Sequence, residues 1–529
     1  MMAQQMQSPD VTLVPPVCLS PLSASSSTGS TDTATEIITP ERSQTSLSSC
    51  PSAQLQSPLL RTPSEIIHRV LTSSGADNLP TLAATAKTCR ELRSFIYQNP
   101  DCALWRDIHL RCWDDPRAAG AFVQPRTEFD WQKRVQDREF VKRLLSLPEE
   151  RYSELDQHLG TITETLLNLY LDLPASPHRD PSPGPLAEDL VRNARLLNQL
   201  LGSPAFRYVI RHLSTREKRP LLRPLRAQPG NPNRKPQREA VDPNLCRLHA
   251  LTTPALQDED PEDRQFRGQM RELVYTAANF SEANDWGPFR PDGTVDWVLT
   301  DALSTVMLMN AKDVLSSGED SWRAARMPLS YCVDTGRGWG FNNLQRPEHL
   351  GENDVWDWAG VEGQWCGSYA FLDYADWMSL NEPRLILLRR AINELDLSTY
   401  NEAIGDLMRL ELVLDRPSDL PSDLPPLSTA LPTSDLLPKL YFHGSSASSP
   451  LSSIQSGTSS FVRGVVQLTA DDPPQVRWTL VIRYGGEDRW RLECVQPGGR
   501  GSPKGFFGTW TDALKEEHSP NGPVWYWKT

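Results

Sequence analysis

The chain has no long apolar run. Its longest ones, such as Leu385–Leu388, fall far short of the ~20 residues that a helix needs to cross a membrane. An apolar signal core is also missing near the N-terminus. We therefore expect no membrane partner for this protein.

Closely spaced cysteine pairs are missing as well. The nine cysteines occur singly, without the short spacing that organises zinc or a redox disulfide. They are Cys18, Cys50, Cys89, Cys102, Cys112, Cys246, Cys332, Cys366 and Cys494. Scattered single cysteines are typical of a reducing compartment, so we predict a cytoplasmic or nuclear location.

Basic residues are too few for general nucleic-acid binding. The chain carries 54 Lys and Arg against 67 Asp and Glu, a formal net charge of −13, whereas phosphate backbones require clustered cations. The Arg-rich stretch 214–240 could be a nuclear localisation signal, but its Pro, Gly and Asn content favours a solvated linker. We expect no nucleic-acid partner.

Recognisable catalytic groups are also lacking. The nine histidines show no metal spacing, and no Gly-x-Ser-x-Gly elbow occurs. Glu487 and Asp488 are adjacent, so their side chains point in different directions and do not form a glycosidase pair. The aromatic stretch Trp356–Trp358 and the glycine-rich stretch Gly336–Gly340 are weak candidates for sugar and phosphate sites. We predict no catalytic residue, no metal and no cofactor.

Composition divides the chain into four parts. Residues 1–57 are rich in Ser, Thr and Pro and are predicted to be a disordered tail. Residues 58–115 carry short apolar helices, and 116–354 are predicted to be a helical middle region with Pro/Arg-rich linkers. Residues 355–529 show the period of two that is typical of strands.

The first helix has a clear predicted start. Thr62 can cap it, Pro63 suits its first position, and Glu65 completes a capping box. An apolar stripe follows at helical spacing, and the turn signals Ser73–Gly75 are predicted to end the helix. Further apolar groups at Leu79–Ile96 and Leu104–Leu110 predict three short helices in all.

The last part of the chain predicts an antiparallel sheet. Val476–Tyr484 and Arg489–Val495 alternate apolar and polar residues around the turn Gly485–Asp488, which indicates a hairpin. Six more strands are predicted at Gly363–Phe371, Arg384–Arg389, Asp406–Leu414, Phe461–Thr469, Gly505–Thr511 and Val524–Lys528. With 416–460 as a long loop, we predict an α+β protein whose C-terminal region is a β-barrel or sandwich.

The segment that begins at Pro63 resembles an F-box, a motif with a Pro-x-Glu-Ile start, spaced leucines, a Cys-Arg pair and a late Leu-Trp. The matching residues are Pro63, Glu65, Ile66, Val70, Leu71, Leu79, Leu82, Cys89, Arg90, Leu92, Leu104, Trp105 and Ile108. Thr62 stands where the family usually has Leu, and Ser73–Asp77 lengthens the predicted connection between helices. Both departures weaken the expected contact with the adaptor.

The remainder resembles fungal F-box proteins, in which a helical middle and a Trp-rich C-terminal region follow the F-box. The matching phrases are Trp286–Phe289, Gly363–Tyr369, Val476–Thr479, Gly485–Trp490 and Gly522–Trp525. This resemblance implies a small C-terminal β-barrel like that of some animal F-box-only proteins, where the barrel reads the substrate.

The resemblance implies a substrate receptor of an SCF ubiquitin ligase, a non-catalytic subunit that binds the Skp adaptor and, through it, the cullin scaffold. Its expected adaptor-binding residues are Pro63, Ile66, Ile67, Val70, Leu71, Leu79, Leu82, Cys89, Leu92, Leu104 and Trp105. The C-terminal region is expected to bind an unknown protein substrate. The alternatives are that the stripes are the interior of a helical unit, or that the barrel binds a small ligand or serves as a scaffold without a ligase role. In the ordinary-core interpretation, Trp365, Trp478, Trp490, Trp510, Trp525 and Trp527 fill the barrel.

Overall fold

The computed structural model describes residues 58–98, 102–124, 126–174, 192–215, 242–252, 261–318, 346–351, 354–384, 402–416, 427–448, 460–500, 504–516 and 519–529, with the single positions 325, 327, 328, 397, 418 and 502. The chain divides into two compact units, Met1–Arg61 and Thr62–Thr529. The described residues of the first form one 3-10 turn, Pro58–Arg61. Every element discussed below belongs to the second unit.

Twelve α-helices lie in the described part of the chain. They are α1 Ser64–Asp77, α2 Leu79–Ala86, α3 Arg90–Tyr97, α4 Ala103–Cys112, α5 Trp131–Leu144, α6 Leu159–Leu171, α7 Arg192–Leu201, α8 Pro204–Thr215, α9 Pro243–Thr252, α10 Pro261–Tyr275, α11 Trp297–Ser317 and α12 Tyr374–Asn381. The longest, α11, begins where the Asp296 carboxylate accepts hydrogen bonds from the Val298 and Leu299 amides. It ends at Gly318, whose φ of 92° favours glycine.

The N-terminal helices differ from the prediction in three respects. Pro63, not Thr62, occupies the N-cap of α1, so the helix begins one position later than predicted. The helix runs on through Ser73–Gly75 to Asp77, and these residues do not lengthen a connection. The stretch Leu79–Ile96 forms two helices, α2 and α3, because Cys89 is extended and its thiol accepts a hydrogen bond from the Leu92 amide at the start of α3.

Gly75 continues the helix because it lies where α1 packs against α4. A Cβ on Gly75 would stand 2.7 Å from Cδ1 of Ile108, closer than side chains approach one another. The glycine is therefore a packing residue, whereas its sequence context resembled a turn. The reason is tertiary: the close neighbour is 33 positions away in the chain.

We expect Gly75→Ala to lower the free energy of unfolding by about 1–3 kcal/mol, since overpacking against Ile108 outweighs the intrinsic helix preference of Ala. Gly160→Ala in α6 is the matched control, because nothing lies within 4 Å of the added methyl group. There we expect a gain of up to about 1 kcal/mol. Urea unfolding of both variants measures the difference, and a stabilised Gly75→Ala protein would contradict the tight packing.

The C-terminal region forms a closed antiparallel barrel of eight strands. These are β1 Gly363–Leu372, β3 Met408–Asp415, β5 Leu440–Ser448, β6 Ser460–Thr469, β7 Val476–Tyr484, β8 Glu487–Gln496, β9 Phe506–Asp512 and β10 Asn521–Lys528. They pair in this order, and β10 closes the barrel on β1 with Cys366 opposite Trp527. Two short strands, β2 Glu402–Ile404 and β4 Thr433–Ser434, extend β1 and β6.

Alternation along the strands separates an interior from an outer wall. Trp365, Trp478 and Trp510 belong to the interior, with Trp490 packed against them. Trp525 and Trp527 instead pack outside, against Met307 and other residues of α11. The expectation that all six fill the barrel is therefore wrong for these two, because β10 inserts Val524 and Tyr526 and turns the intervening tryptophans toward the helix.

Two further predictions for this region need correction, and one predicted strand lies almost wholly outside the described residues. The span 416–460, predicted to be a loop, contains β4 and β5, and β5 was not predicted because five of its nine residues are Gly, Ser or Ala. The turn between β7 and β8 comprises only Gly485 and Gly486, since Glu487 already pairs with Tyr484. Only Arg384 of the predicted strand Arg384–Arg389 lies within the described residues. The Arg-rich stretch 214–240 beyond residue 215 and the glycine-rich stretch Gly336–Gly340 also lie outside them.

Candidate functional site

The eleven residues predicted to bind the adaptor divide into three groups by exposure. Pro63, Ile66 and Val70 are exposed, and Ile66 and Val70 retain 46% and 55% of their accessible surface. Ile67, Leu79 and Cys89 are half-buried. Leu71, Leu82, Leu92, Leu104 and Trp105 are buried. We call Pro63, Ile66 and Val70 the outer face of α1. Of the eleven predicted adaptor-binding residues, these three are exposed to solvent.

The buried members hold the helix that carries this outer face. The Trp105 indole donates a hydrogen bond of 2.7 Å to the Ile96 carbonyl, which ties α4 to α3. Beside it, His68 Nε2 lies 2.8 Å from Asp107 Oδ2 and ties α1 to α4. Contacts of this kind hold the backbone of α1 and leave Ile66 and Val70 directed to solvent. Ile66 and Val70 are thus two exposed branched apolar residues that lie one helical turn apart.

A buried polar cluster lies where α4 meets the middle region. His109 is fully buried, and neither of its ring nitrogens has a hydrogen-bond partner. Its ring contacts the rings of Trp113 and Trp131 at centroid distances of 5.4 and 5.1 Å. Burial, together with the nearby Arg138 guanidinium, lowers the pKa of His109 to about 2. The imidazole is therefore neutral in the folded protein.

We expect His109 to make stability depend on pH. Because its folded-state pKa of about 2 lies below the unfolded value of 6.5, the unfolded chain binds the extra proton and stability falls as the pH drops below 6.5. The loss is about 1.4 kcal/mol per pH unit at most. His109→Phe should remove this part of the slope in urea unfolding between pH 4.5 and 7.5. The control His443→Gln changes a 48%-exposed histidine, and equal slopes in wild type and His109→Phe would contradict the assignment.

The outer wall of β7 and β8 carries a second buried cluster, where two of the Trp-rich phrases meet. Arg477 donates hydrogen bonds of 2.7 Å to Asp285 and 2.8 Å to Glu493. Its guanidinium lies 4.3 Å from the centroid of the Phe289 ring. Asp285 and Trp286 both have positive φ, 50° and 55°. This cluster attaches the segment after α10 to the barrel.

Sequence reasoning missed Arg477 as a key residue. It lies at a position of β7 that was predicted to face away from the core, and its carboxylate partner Asp285 is 192 positions away. The only available signal was that Arg477 and Asp285 lie in or beside Trp-rich phrases. Two segments that are both rich in tryptophan are not thereby predicted to touch each other.

The carboxylate pair considered for catalysis has an ordinary structural setting. Asp488 lies 2.8 Å from Arg463 and 2.9 Å from Arg483, while the neighbouring Glu487 is exposed at the start of β8. Within the described ranges, no three His, Cys, Asp or Glu side chains come together in a way that could hold a metal ion. No helix in the same ranges is long and apolar enough to span a bilayer.

Comparison with known proteins adds no further assignment. The outer face of α1 and the interior of the barrel are therefore interpreted from their own geometry. No protein-family model, curated protein or solved structure matches this chain.

Proposed function

We propose that the protein is a substrate receptor of an SCF-type ubiquitin ligase, with α1–α4 acting as an F-box that docks the Skp adaptor. The carrying observation is that Ile66 and Val70 project from α1 into solvent, although both are branched apolar residues. Isolated apolar residues are common on surfaces, but these two lie one helical turn apart on a helix fixed from behind by α4.

The barrel is the proposed substrate-binding part. The buried Arg477 cluster joins its wall to the segment that follows α10. The Trp527 indole on β10 also donates a hydrogen bond of 2.9 Å to the Ala325 carbonyl. A receptor of this kind needs no catalytic group, because it works by raising the effective concentration of its substrate near the ligase. The attachment of the barrel to the rest of the chain serves that role, since it connects the proposed substrate-binding part to the proposed F-box.

Co-purification tests the adaptor assignment directly. The full chain is co-expressed with a Skp adaptor, and the complex is followed by size-exclusion chromatography with light scattering. We expect a one-to-one complex that also recruits a cullin scaffold. A chain that is folded by circular dichroism yet elutes apart from the adaptor at concentrations of about 10 μM would contradict the proposal.

A barrel that binds a small ligand without any ligase role is the second candidate. The observation in its favour is that Tyr369 and Trp490 point into the barrel but remain partly exposed. Failure of adaptor binding, combined with ligand binding by the barrel, would favour it.

A further inference from the structure

A Thr-Pro dipeptide lies at the edge of the outer face of α1. Pro63 is the first residue of that face, and Thr62 directly precedes it. Pro63 has φ −50° and ψ 140°, so the chain is extended here and becomes helical only at Ser64. A proline also disfavours helical backbone at the residue before it. Proline-directed kinases bind Ser-Pro and Thr-Pro dipeptides in extended chain segments, and this dipeptide has the backbone form that they accept.

The residues around this dipeptide are open to solvent. Thr62 is half-buried, and the three residues that follow it, Pro63, Ser64 and Glu65, are all exposed. A kinase has to contact the proline ring and the neighbouring backbone as well as the hydroxyl group. The exposure of this stretch as a whole therefore matters more than that of the threonine alone.

The Ser-Pro dipeptides in the described ranges are placed differently. Ser203 holds the start of α8, since its hydroxyl accepts a hydrogen bond from the Phe206 amide. Ser502 is only 7% exposed. At Ser519 the proline that follows is half-buried. Thr62 combines an exposed proline with a position beside the proposed docking surface.

A phosphate on Thr62 stands at the edge of the proposed adaptor interface. Pro63 is the next residue, with its Cα about 3.8 Å from that of Thr62, and its carbonyl accepts a hydrogen bond of 3.0 Å from the Ile66 amide. An adaptor that covers Pro63 and Ile66 must therefore remove water from the phosphate. The group carries a charge of about −1.5 to −2 at neutral pH, and its dehydration beside apolar side chains is unfavourable.

We propose that Thr62 is a phosphorylation site for a proline-directed kinase and that its phosphate weakens docking of the adaptor on α1. The γ-phosphoryl group passes from ATP to the Thr62 hydroxyl. A bond forms between phosphorus and Oγ1, the bond from phosphorus to the β-phosphate oxygen breaks, ADP leaves, and the hydroxyl proton is released. The effect on docking rests on the proposed function, whereas the phosphorylation itself does not.

Treatment of the full chain with a cyclin-dependent kinase and ATP, followed by mass spectrometry, tests the site. We expect phosphate on Thr62 and none on Ser203, whose hydroxyl belongs to the start of α8. A synthetic peptide of residues 58–67, treated in the same way, shows whether the enzyme accepts the sequence outside the fold. A full chain without phosphate on Thr62, whether or not the peptide is modified, would overturn the proposal.

Titration calorimetry with purified Skp adaptor tests the effect on docking. The wild type is measured before and after kinase treatment, and Thr62→Val is the matched control because it keeps every other Ser-Pro and Thr-Pro dipeptide of the chain. We expect phosphorylation to weaken binding by the wild type about 10-fold or more and to leave Thr62→Val unchanged. Equal losses of affinity in the two proteins would assign the effect to another residue and reject the role of Thr62.

The unmodified chain separates this proposal from the proposed function. If it binds the adaptor and phosphate on Thr62 changes nothing, the regulation by Thr62 is overturned while the ligase role stands. If the unmodified chain does not bind the adaptor, the ligase role fails, and the effect of the phosphate on docking fails with it.

Discussion

Replacing Ile66 and Val70 by aspartate should abolish stable binding of the Skp adaptor. Both side chains are about half exposed, so the change leaves the helix core in place and puts two charges at the centre of the proposed interface. A charge buried without a partner at a docking anchor costs at least about 2 kcal/mol. For the pair we expect affinity to fall at least about 100-fold, measured by titration calorimetry with purified adaptor.

The matched control for this experiment is Val413→Asp. Val413 is 48% exposed on β3 and lies on the outer wall of the barrel, so it receives the same chemical change at similar exposure. Its adaptor affinity should equal that of the wild type. Undiminished binding by the Ile66→Asp/Val70→Asp protein would show that this face of α1 is an ordinary surface.

The second large effect is expected at Arg477, where Arg477→Met should lower the free energy of unfolding by about 3–5 kcal/mol. The substitution removes the guanidinium that lies over the Phe289 ring and leaves the Asp285 carboxylate buried without its ion-pair partner. Breaking a buried ion pair from one side is costly because the remaining charge stays desolvated. Urea unfolding followed by circular dichroism measures the loss.

Two further variants separate the ion pair from general damage to β7. Asp285→Asn in the Arg477→Met background should restore part of the stability, because Asn is neutral and tolerates the positive φ at this position. Arg483→Met, on the same strand, removes a partly exposed pair with Asp488 and should cost no more than about 1 kcal/mol. A similar loss in Arg477→Met and Arg483→Met would argue against a special role for the buried cluster.

Several features of the fold follow from local pattern. The period of two in Val476–Tyr484 and the paired glycines Gly485 and Gly486 were enough to predict the β7–β8 hairpin, and the structure confirms it. Helix α11 likewise lies within 116–354, the region that was predicted to be helical. Local signals succeed here because hydrogen bonding within a helix or a tight hairpin involves residues that are close in the chain.

Local pattern was misleading where distant contacts decide the structure. Gly75 has the context of a turn residue, but the helix continues through it, and α4 passes so close that an added Cβ would meet the end of the Ile108 side chain. Five of the nine residues of β5 are Gly, Ser or Ala, and it is a strand because β3 and β6 pair with it on either side. The outward direction of Trp525 and Trp527 depends on α11, whose apolar face they cover.

The sequence by itself determined the α+β class, the positions of most strands, the apolar stripe of α1 and the scattered cysteines. Only the tertiary structure decided that the barrel closes, that Ile66 and Val70 are exposed while Leu82 and Leu104 are buried, and that Arg477 meets Asp285. Periodicity depends on neighbouring residues and is visible in one chain segment. Exposure and ion pairing depend on which segments come together, and the free energy of that association is distributed over contacts between residues far apart in the chain.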